Sequence, residues 1–188
     1  MDAELERKMR QLIDRQEIWD LLLRFGRGLD RLDAEMVRSI YWDDAIEDHH
    51  AFIGTPDGFI EWANGYSRSA VRVQHHVMTN HYCELDGDDA YSETYYTFIS
   101  ENWEPPHLLS IGRYADHFQR RDGVWKIANR VTMIESNLDI PSAVPLEAIY
   151  GLQNTCGQPV LPCARDRTDF SYQKPVRPRR PLDAAAAE

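Results

Sequence analysis

Asp30 and His76 are the residues whose types and positions best fit acid–base chemistry in this sequence. Asp30 follows directly on an apolar stripe that ends at Leu29, and a carboxylate at the carboxyl end of a helix is disfavoured by the helix dipole unless it has a partner. His76 lies in a segment with strand character, and Asn80 shares its face. A carboxylate that fixes the tautomer of an imidazole makes that imidazole a general base near neutral pH. These positions favour an Asp30–His76 pair that lines a cavity between helix and sheet.

Each candidate also has an ordinary structural interpretation. Asp30 also fits a solvated residue of an interhelical turn, and His76 fits a packed histidine bonded to a backbone carbonyl. His75 is the alternative base, because neighbours on a strand face opposite sides. Arg130, in the last strand-like segment, would stabilise a developing oxyanion if it lined a cavity, or would pair with a surface carboxylate if it did not.

Aromatic residues supply further candidates for contact with a ligand. Core packing is the simpler explanation for each of them. In a cavity, a tyrosine would steady an enolate, a phenolate or a departing group. The aromatic candidates for substrate binding are Phe25, Tyr41, Trp42 and Tyr96, of which Tyr41 and Tyr96 carry the hydroxyl.

The sequence predicts neither a metal nor a cofactor. Seven histidines are present, but adjacent histidines on a strand point to opposite faces, and no HExxH or facial-triad spacing appears. There is no glycine-rich phosphate loop, no dinucleotide fingerprint and no GxSxG nucleophile motif.

The composition is that of a globular chain that acts on something small. Among 188 residues, 31 are acidic and 21 are basic, which gives a formal charge of −10. This balance repels phosphate backbones and anionic lipid, so we expect no nucleic-acid or membrane partner. The three cysteines, Cys83, Cys156 and Cys163, form no CxxC pair, and the amino terminus is acidic, so a cytoplasmic location is expected.

Helical periodicity dominates the first third of the chain. Residues 3–29 form an amphipathic pattern in which Leu5, Met9 and Leu12 share a stripe with Trp19 and Leu23. A short second helix follows Asp33, a suitable N-cap, and residues 41–47 resemble a strand. The dipeptide Thr55-Pro56 predicts the start of a third helix that ends near Ser69.

Strand character dominates the next part. Four segments rich in β-branched and aromatic residues, 72–85, 89–102, 108–120 and 124–136, are separated by Asp-Gly and Pro-Pro turns. Helices before an antiparallel meander predict an α+β domain, here residues 1–137. Residues 138–188 lose periodicity and are rich in proline, which predicts an irregular arm with a disordered end.

Several short motifs, in the same order, resemble the SnoaL-like group of the nuclear transport factor 2-like superfamily, which includes scytalone dehydratase and hexachlorocyclohexane dehydrochlorinase. They cover most of residues 10–135 and read IWDL (18–21), GLD (28–30), YWDDA (41–45), HHVMTN (75–80), ELDGDDA (84–90), Tyr114 and FQRRDGVWKI (118–127). The resemblance implies a cone-shaped α+β barrel in which a curved mixed or antiparallel sheet folds over the long helix.

The resemblance also assigns roles to individual residues. The catalytic aspartate of the family falls on Asp30 and its histidine on His76, or on His75 after a one-residue slip. The arginine of the dehydrochlorinase's last strand falls on Arg130. The dehydrochlorinase carries a lysine where this chain has Phe25, so an aromatic or apolar ligand fits better than an ammonium-assisted loss of chloride.

A cofactor-independent lyase is the function that the resemblance implies. The expected reaction is a dehydratase-like elimination on a small hydrophobic or aromatic molecule, and a retro-aldol loss of formaldehyde from an aromatic diol stays open. Two alternatives share the scaffold: an isomerase or polyketide cyclase, and a non-catalytic binding or assembly subunit. The resemblance further implies a homotrimer.

Overall fold

All three expected helices are present in the computed structural model, which describes residues 2–144, 148, 153, 158–159 and 163–178. They are α1 (Ala3–Asp30), α2 (Ala34–Arg38) and α3 (Pro56–Ala70). The side chains of Asp33 and Thr55 accept hydrogen bonds from Met36 N and Gly58 N, so both act as N-caps as expected.

The strands form one open six-stranded sheet of order β2-β1-β6-β5-β4-β3. Its strands are β1 (Tyr41–Asp48), β2 (Ile53–Gly54), β3 (Val71–Asp86), β4 (Asp89–Asn102), β5 (His107–Arg121) and β6 (Val124–Ile140). β1 and β6 are parallel and the other neighbours are antiparallel, so the sheet is mixed. The short β2 was not predicted, and β6 continues past residue 136 to Ile140.

The carboxyl-terminal half of α1 packs into the sheet. The buried residues of α1 all lie from Ile18 onward, and Ile18, Leu22 and Phe25 are fully buried. The expected stripe was therefore wrong in its first half and also at Leu23, which is exposed. Leu5 and Leu12 are 50% and 69% exposed, because the sheet does not cover that part of the helix.

Part of the proline-rich arm folds back on its own chain. Tyr172 donates its hydroxyl to Asp33 Oδ2 at 2.9 Å, Arg167 pairs with Glu35, and Arg165 donates to the Ser67 carbonyl. Residues 165–172 thus lie at the end of α1, the start of α2 and the end of α3. The predicted disordered end falls at residues 179–188, outside the described residues.

None of the helices in the described part of the chain has the length and apolar character needed to cross a membrane.

Candidate active site

A cavity of about 260 Å³ opens between α3 and the inner face of the sheet. Most of its wall is aromatic or aliphatic, as in pockets for small organic ligands. The aromatic lining consists of Phe59, Trp62, Tyr66, Tyr96, Phe98 and Tyr114, and the imidazoles are His49, His50 and His76.

His76 lines this cavity and is in contact with Asp30, which is not part of the lining. Asp30 Oδ1 lies 2.7 Å from His76 Nδ1, and Asp30 Oδ2 accepts the His76 backbone N–H at 3.0 Å. The two side chains are 11% and 9% exposed. Because both carboxylate oxygens bind the same residue, the imidazole is held by Nδ1, and Nε2 is the nitrogen left for a molecule in the cavity.

Close packing of α1 on β3 makes this contact possible. A Cβ added at Gly26 would lie 3.2 Å from His76 Cβ and 3.1 Å from Met78 Cε, so a larger residue would push the helix away. The last turn of α1 is also tied to β3, because Gln74 Nε2 donates to the Leu29 carbonyl at 2.9 Å and is itself held by Ser67. Asp30 is thereby fixed opposite His76.

Aromatic rings restrain the imidazole of His76. The Phe98 ring centroid lies 4.8 Å from that of His76, and the Phe25 ring meets it edge-on at 6.2 Å. With these rings on either side, the His76 side chain is only 9% exposed.

Tyr96 and Tyr114 stack in the cavity wall with centroids 4.5 Å apart. Burial raises the pKa of both phenols, that of Tyr114 well above its ordinary value. Both hydroxyls are therefore neutral near pH 7 and able to donate a hydrogen bond to a developing oxyanion.

Arg130 lies behind the cavity and not in its lining. Its Nε and Nη2 bind the two oxygens of Asp116 at 2.6 and 2.9 Å, and neither side chain is exposed. Its guanidinium carbon sits 4.1 Å from the Phe25 ring centroid and 4.3 Å from that of Tyr114. Burial lowers the pKa of Arg130, but the carboxylate of Asp116 outweighs this effect and keeps that pKa well above its ordinary value. The expectation that Arg130 reaches a reacting group therefore has no support from its position.

Five other candidates also lie away from the cavity lining. His75 is exposed on the opposite face from His76. Asn80 is exposed as well, because an irregularity between Met78 and His81 breaks the alternation of β3. Phe25 is core, Tyr41 is buried with its hydroxyl on Glu47, and the Trp42 indole donates to the Gln119 carbonyl.

His49 and Glu47 were overlooked by the sequence analysis as a possible pair. Glu47 Oε1 lies 3.0 Å from His49 Nδ1, and His49 lines the cavity. Their spacing of two residues at the end of a strand places both side chains on one face, and that was the available signal.

Within the described ranges, no three side chains of His, Cys, Asp or Glu type are grouped so that they could hold a metal ion.

A long helix packed into an open mixed sheet is the architecture of the cone-shaped α+β fold of the nuclear transport factor 2-like superfamily, to which the SnoaL-like domain belongs. The model of the SnoaL-like domain matches residues 10–131, and the chain belongs to this family. No curated protein sequence matches the chain.

Solved structures share the fold at low identity. LinA is 23% identical with a TM-score of 0.69, and the match covers 73% of this chain and 98% of LinA. The hexachlorocyclohexane dehydrochlorinase LinA-type3 from Novosphingobium barchaimii is 24% identical over 73% of this chain and 99% of its own, with a TM-score of 0.67. A putative scytalone dehydratase from Novosphingobium aromaticivorans is 18% identical over 72% and 95%, with a TM-score of 0.63.

Proposed function

We propose that the protein is a cofactor-independent lyase that removes a proton from a small aromatic or hydrophobic molecule and eliminates a neighbouring group. The observation that carries the proposal is the contact of 2.7 Å between Asp30 and His76, because His76 lines a largely aromatic cavity. Asp30 holds the Nδ1 proton of His76, and Nε2 takes the substrate proton as a general base. Solved structures of the same fold include a dehydrochlorinase and a putative scytalone dehydratase, which supports a lyase-type reaction.

The roles of the surrounding residues follow from their positions. The phenols of Tyr96 and Tyr114 donate hydrogen bonds to the oxygen that becomes negative when the proton leaves. Arg130 acts as a positioning residue, because it contacts the rings of Phe25 and Tyr114 and not the cavity. A homotrimer stays a prediction.

Loss of the substrate proton is tested most directly by isotope exchange. 1-Tetralone, an aryl ketone with acidic α-protons and no leaving group, is incubated with the protein in D₂O, and mass spectrometry follows deuterium uptake. We expect the His76→Gln variant to exchange about 10² to 10⁴ times more slowly, the usual contribution of a general base. His75→Gln is the matched control, because His75 is adjacent but exposed on the other face.

Three outcomes decide between the functions. Two results together support the lyase. Deuterium exchange should depend on His76, and in a screen of aromatic alcohols and diols the product mass should be lower than the substrate mass by that of the eliminated molecule. Products of unchanged mass would support an isomerase or cyclase on the same scaffold. Exchange that is unaffected by His76→Gln would overturn the proposed base.

A further inference from the structure

A guanidinium group of the proline-rich arm holds the junction between α3 and β3. Arg165 Nη1 donates to the Ser67 carbonyl at 3.1 Å and to the Val71 carbonyl at 2.5 Å. Ser67 belongs to the last turn of α3, and Val71 is the first residue of β3. The carboxyl end of a helix favours a cation that binds its last carbonyls. Arg165 therefore ties the end of α3 to the strand that carries His76.

Buried hydrogen bonds connect this junction to the last turn of α1. The Ser67 hydroxyl donates to Gln74 Oε1 at 3.0 Å, and Gln74 Nε2 donates to the Leu29 carbonyl at 2.9 Å. All three residues are buried and line the cavity. The next residue, Asp30, is the last of α1 and holds His76. The hydrogen bonds thus lead from the junction to the carboxylate that orients the proposed general base.

The charge of Arg165 also acts on Asp30. Burial lowers the pKa of Arg165, the carboxylate of Asp30 raises it, and the guanidinium groups of Arg31 and Arg68 lower it. A guanidinium stays charged in a protein. Both oxygens of Asp30 bind His76, so Arg165 attracts this carboxylate through space while its own hydrogen bonds go to the backbone.

The contribution of Arg165 to stability does not explain its position. Its Nε and Nη2 are shielded from solvent, and neither has a hydrogen-bond partner among the described residues. A buried donor without a partner costs free energy of folding, and the nearby charges of Arg31 and Arg68 add to this cost. Local costs of this kind are typical of functional sites. The position of Arg165 therefore points to its effect on the catalytic pair.

Other residues of the arm anchor Arg165 at helix ends near Asp30. Tyr172 donates its hydroxyl to Asp33 Oδ2 at 2.9 Å, and the guanidinium carbon of Arg27 lies 4.6 Å from the Tyr172 ring centroid. Asp33 is the N-cap of α2, and Arg27 belongs to the last turn of α1. The arm is thus fixed to the same end of α1 that presents Asp30.

We propose that Arg165 is a positioning residue of the candidate active site, so that the arm takes part in catalysis without lining the cavity. This inference rests on the proposed function of Asp30–His76. Arg165 fixes the end of α3 against β3, and Gln74 passes this constraint to the last turn of α1. A displacement of about 1 Å in a catalytic group can cost about 10² in rate, so a residue outside the cavity can govern turnover.

Deuterium exchange into 1-tetralone measures the effect on catalysis. Arg165→Met keeps the length of the side chain and removes its charge and its donors. We expect the maximal exchange rate to fall about 10- to 10²-fold, because the pair loses its alignment. The ketone concentration that gives half of this rate should stay nearly constant, because Arg165 does not line the cavity. Arg165→Lys keeps the charge and should give an intermediate rate.

Arg167→Met is the matched control. Arg167 lies on the same arm, its side chain is 64% exposed, and its ion pairs go to Asp33 and Glu35 at the start of α2. Exchange should stay near the wild-type rate in this variant. Equal slowing by Arg165→Met and Arg167→Met would show that attachment of the arm in general, and not the position of Arg165, controls the rate. That result would overturn the proposal.

NMR observes the Asp30–His76 contact without a substrate. The nitrogen-15 shifts of a neutral imidazole report which ring nitrogen carries the proton, and the Nδ1–H form of His76 should dominate in the wild-type protein. Arg165→Met should raise the share of the Nε2–H form, and Arg167→Met should not. If Arg165→Met does not fold in a urea denaturation control, Arg165→Lys should show the same change at a smaller size.

The two measurements separate this inference from the proposed function. If the tautomer of His76 responds to Arg165→Met but the wild-type protein exchanges no deuterium, the proposed function fails and the positioning of the pair by Arg165 stands. If the wild-type protein exchanges deuterium and Arg165→Met changes neither the tautomer nor the exchange rate, the inference alone fails.

Discussion

Two of the pairs of a carboxylate and a nitrogen-bearing side chain in this fold, Asp30–His76 and Asp116–Arg130, differ in what they can reach. Asp30 and His76 are 2.7 Å apart, their side chains are 11% and 9% exposed, and His76 lines the cavity. Asp116–Arg130 is bidentate, with a shortest distance of 2.6 Å, and it is completely sealed behind Phe25 and Tyr114. Short distances and low exposure are common to both pairs. Contact with the cavity distinguishes them, so we expect the first pair to govern turnover and the second to govern stability.

The largest effect should come from removing the charge of the cavity pair. Asp30→Asn leaves His76 without the carboxylate that fixes its tautomer, so we expect deuterium exchange into 1-tetralone to fall about 10² to 10⁴-fold. Asp89→Asn, at the exterior pair with His117, is the matched control and should retain wild-type turnover. If Asp30→Asn kept wild-type activity, the Asp30–His76 pair would not be required for turnover, and the proposed difference between the two pairs would be wrong.

The sealed pair should have the largest effect on stability. Asp116→Asn leaves the fully buried Arg130 charge uncompensated, which typically lowers the free energy of unfolding by about 3 to 5 kcal/mol. Urea denaturation measures this loss.

Replacing both partners of the sealed pair sharpens the same test. In the double variant Asp116→Leu with Arg130→Met, neither member of this pair is left as an unpaired buried charge, and much of the stability should return. If Arg130 only positions the rings of Phe25 and Tyr114, the double variant should still catalyse deuterium exchange into 1-tetralone. Well-folded double variants that lose exchange completely would instead give Arg130 a part in the reaction.

The smallest effect concerns the carboxyl-terminal arm, in which the guanidinium of Arg165 interacts electrostatically with Asp30. Hydrogen bonds from Ser171 lower the pKa of Asp169 to about 2, and the Ala164 amide also donates to this carboxylate. Because the folded pKa lies below the unfolded value of about 3.9, the stabilisation is complete above that value and is lost as the pH falls through about 2.

NMR can follow this titration in the intact protein. The amide shifts of Ser171 and Ala164 should titrate together with a midpoint of about 2, and Asp169→Asn should abolish the transition. A midpoint near 4 would show that the carboxylate makes no such contacts in solution. Asp166→Asn, an exposed neighbour, serves as the control.

Much of the secondary structure could be predicted from local signals. The N-caps Asp33 and Thr55 predicted the starts of α2 and α3, and helical periodicity predicted α1. The Asp-Gly turns predicted the hairpins, and all these elements lie close to their expected bounds. These signals act within a few residues, so a single chain is enough to see them. Burial of the helical stripe from Leu5 to Leu12 was predicted wrongly. Helical periodicity shows which face of a helix is apolar, but it does not show where the sheet that covers this face ends.

The candidate site was less accessible to sequence reasoning. Asp30 and His76 were named from position and from a family resemblance, and the structure places them in contact. Asn80 was assigned to the same face as His76, but the irregularity in β3 reverses its side. The spacing of Glu47 and His49 was a local signal that was missed, but the shared cavity of His49 and His76 could not be inferred locally, because His76 is on β3 at the far edge of the sheet.

The sequence by itself determined the order of helices and strands, the membership of an α+β class and the presence of an acid and an imidazole suited to a general base. Only the tertiary structure decided which nitrogen bases reach the cavity. That choice depends on the close approach of α1 at Gly26, on an irregularity in β3 and on the sealing of Arg130 by Asp116. Each of these features arises where different helices and strands pack on one another. Local propensity carries no information about such packing, and the packing determines which side chains reach the cavity.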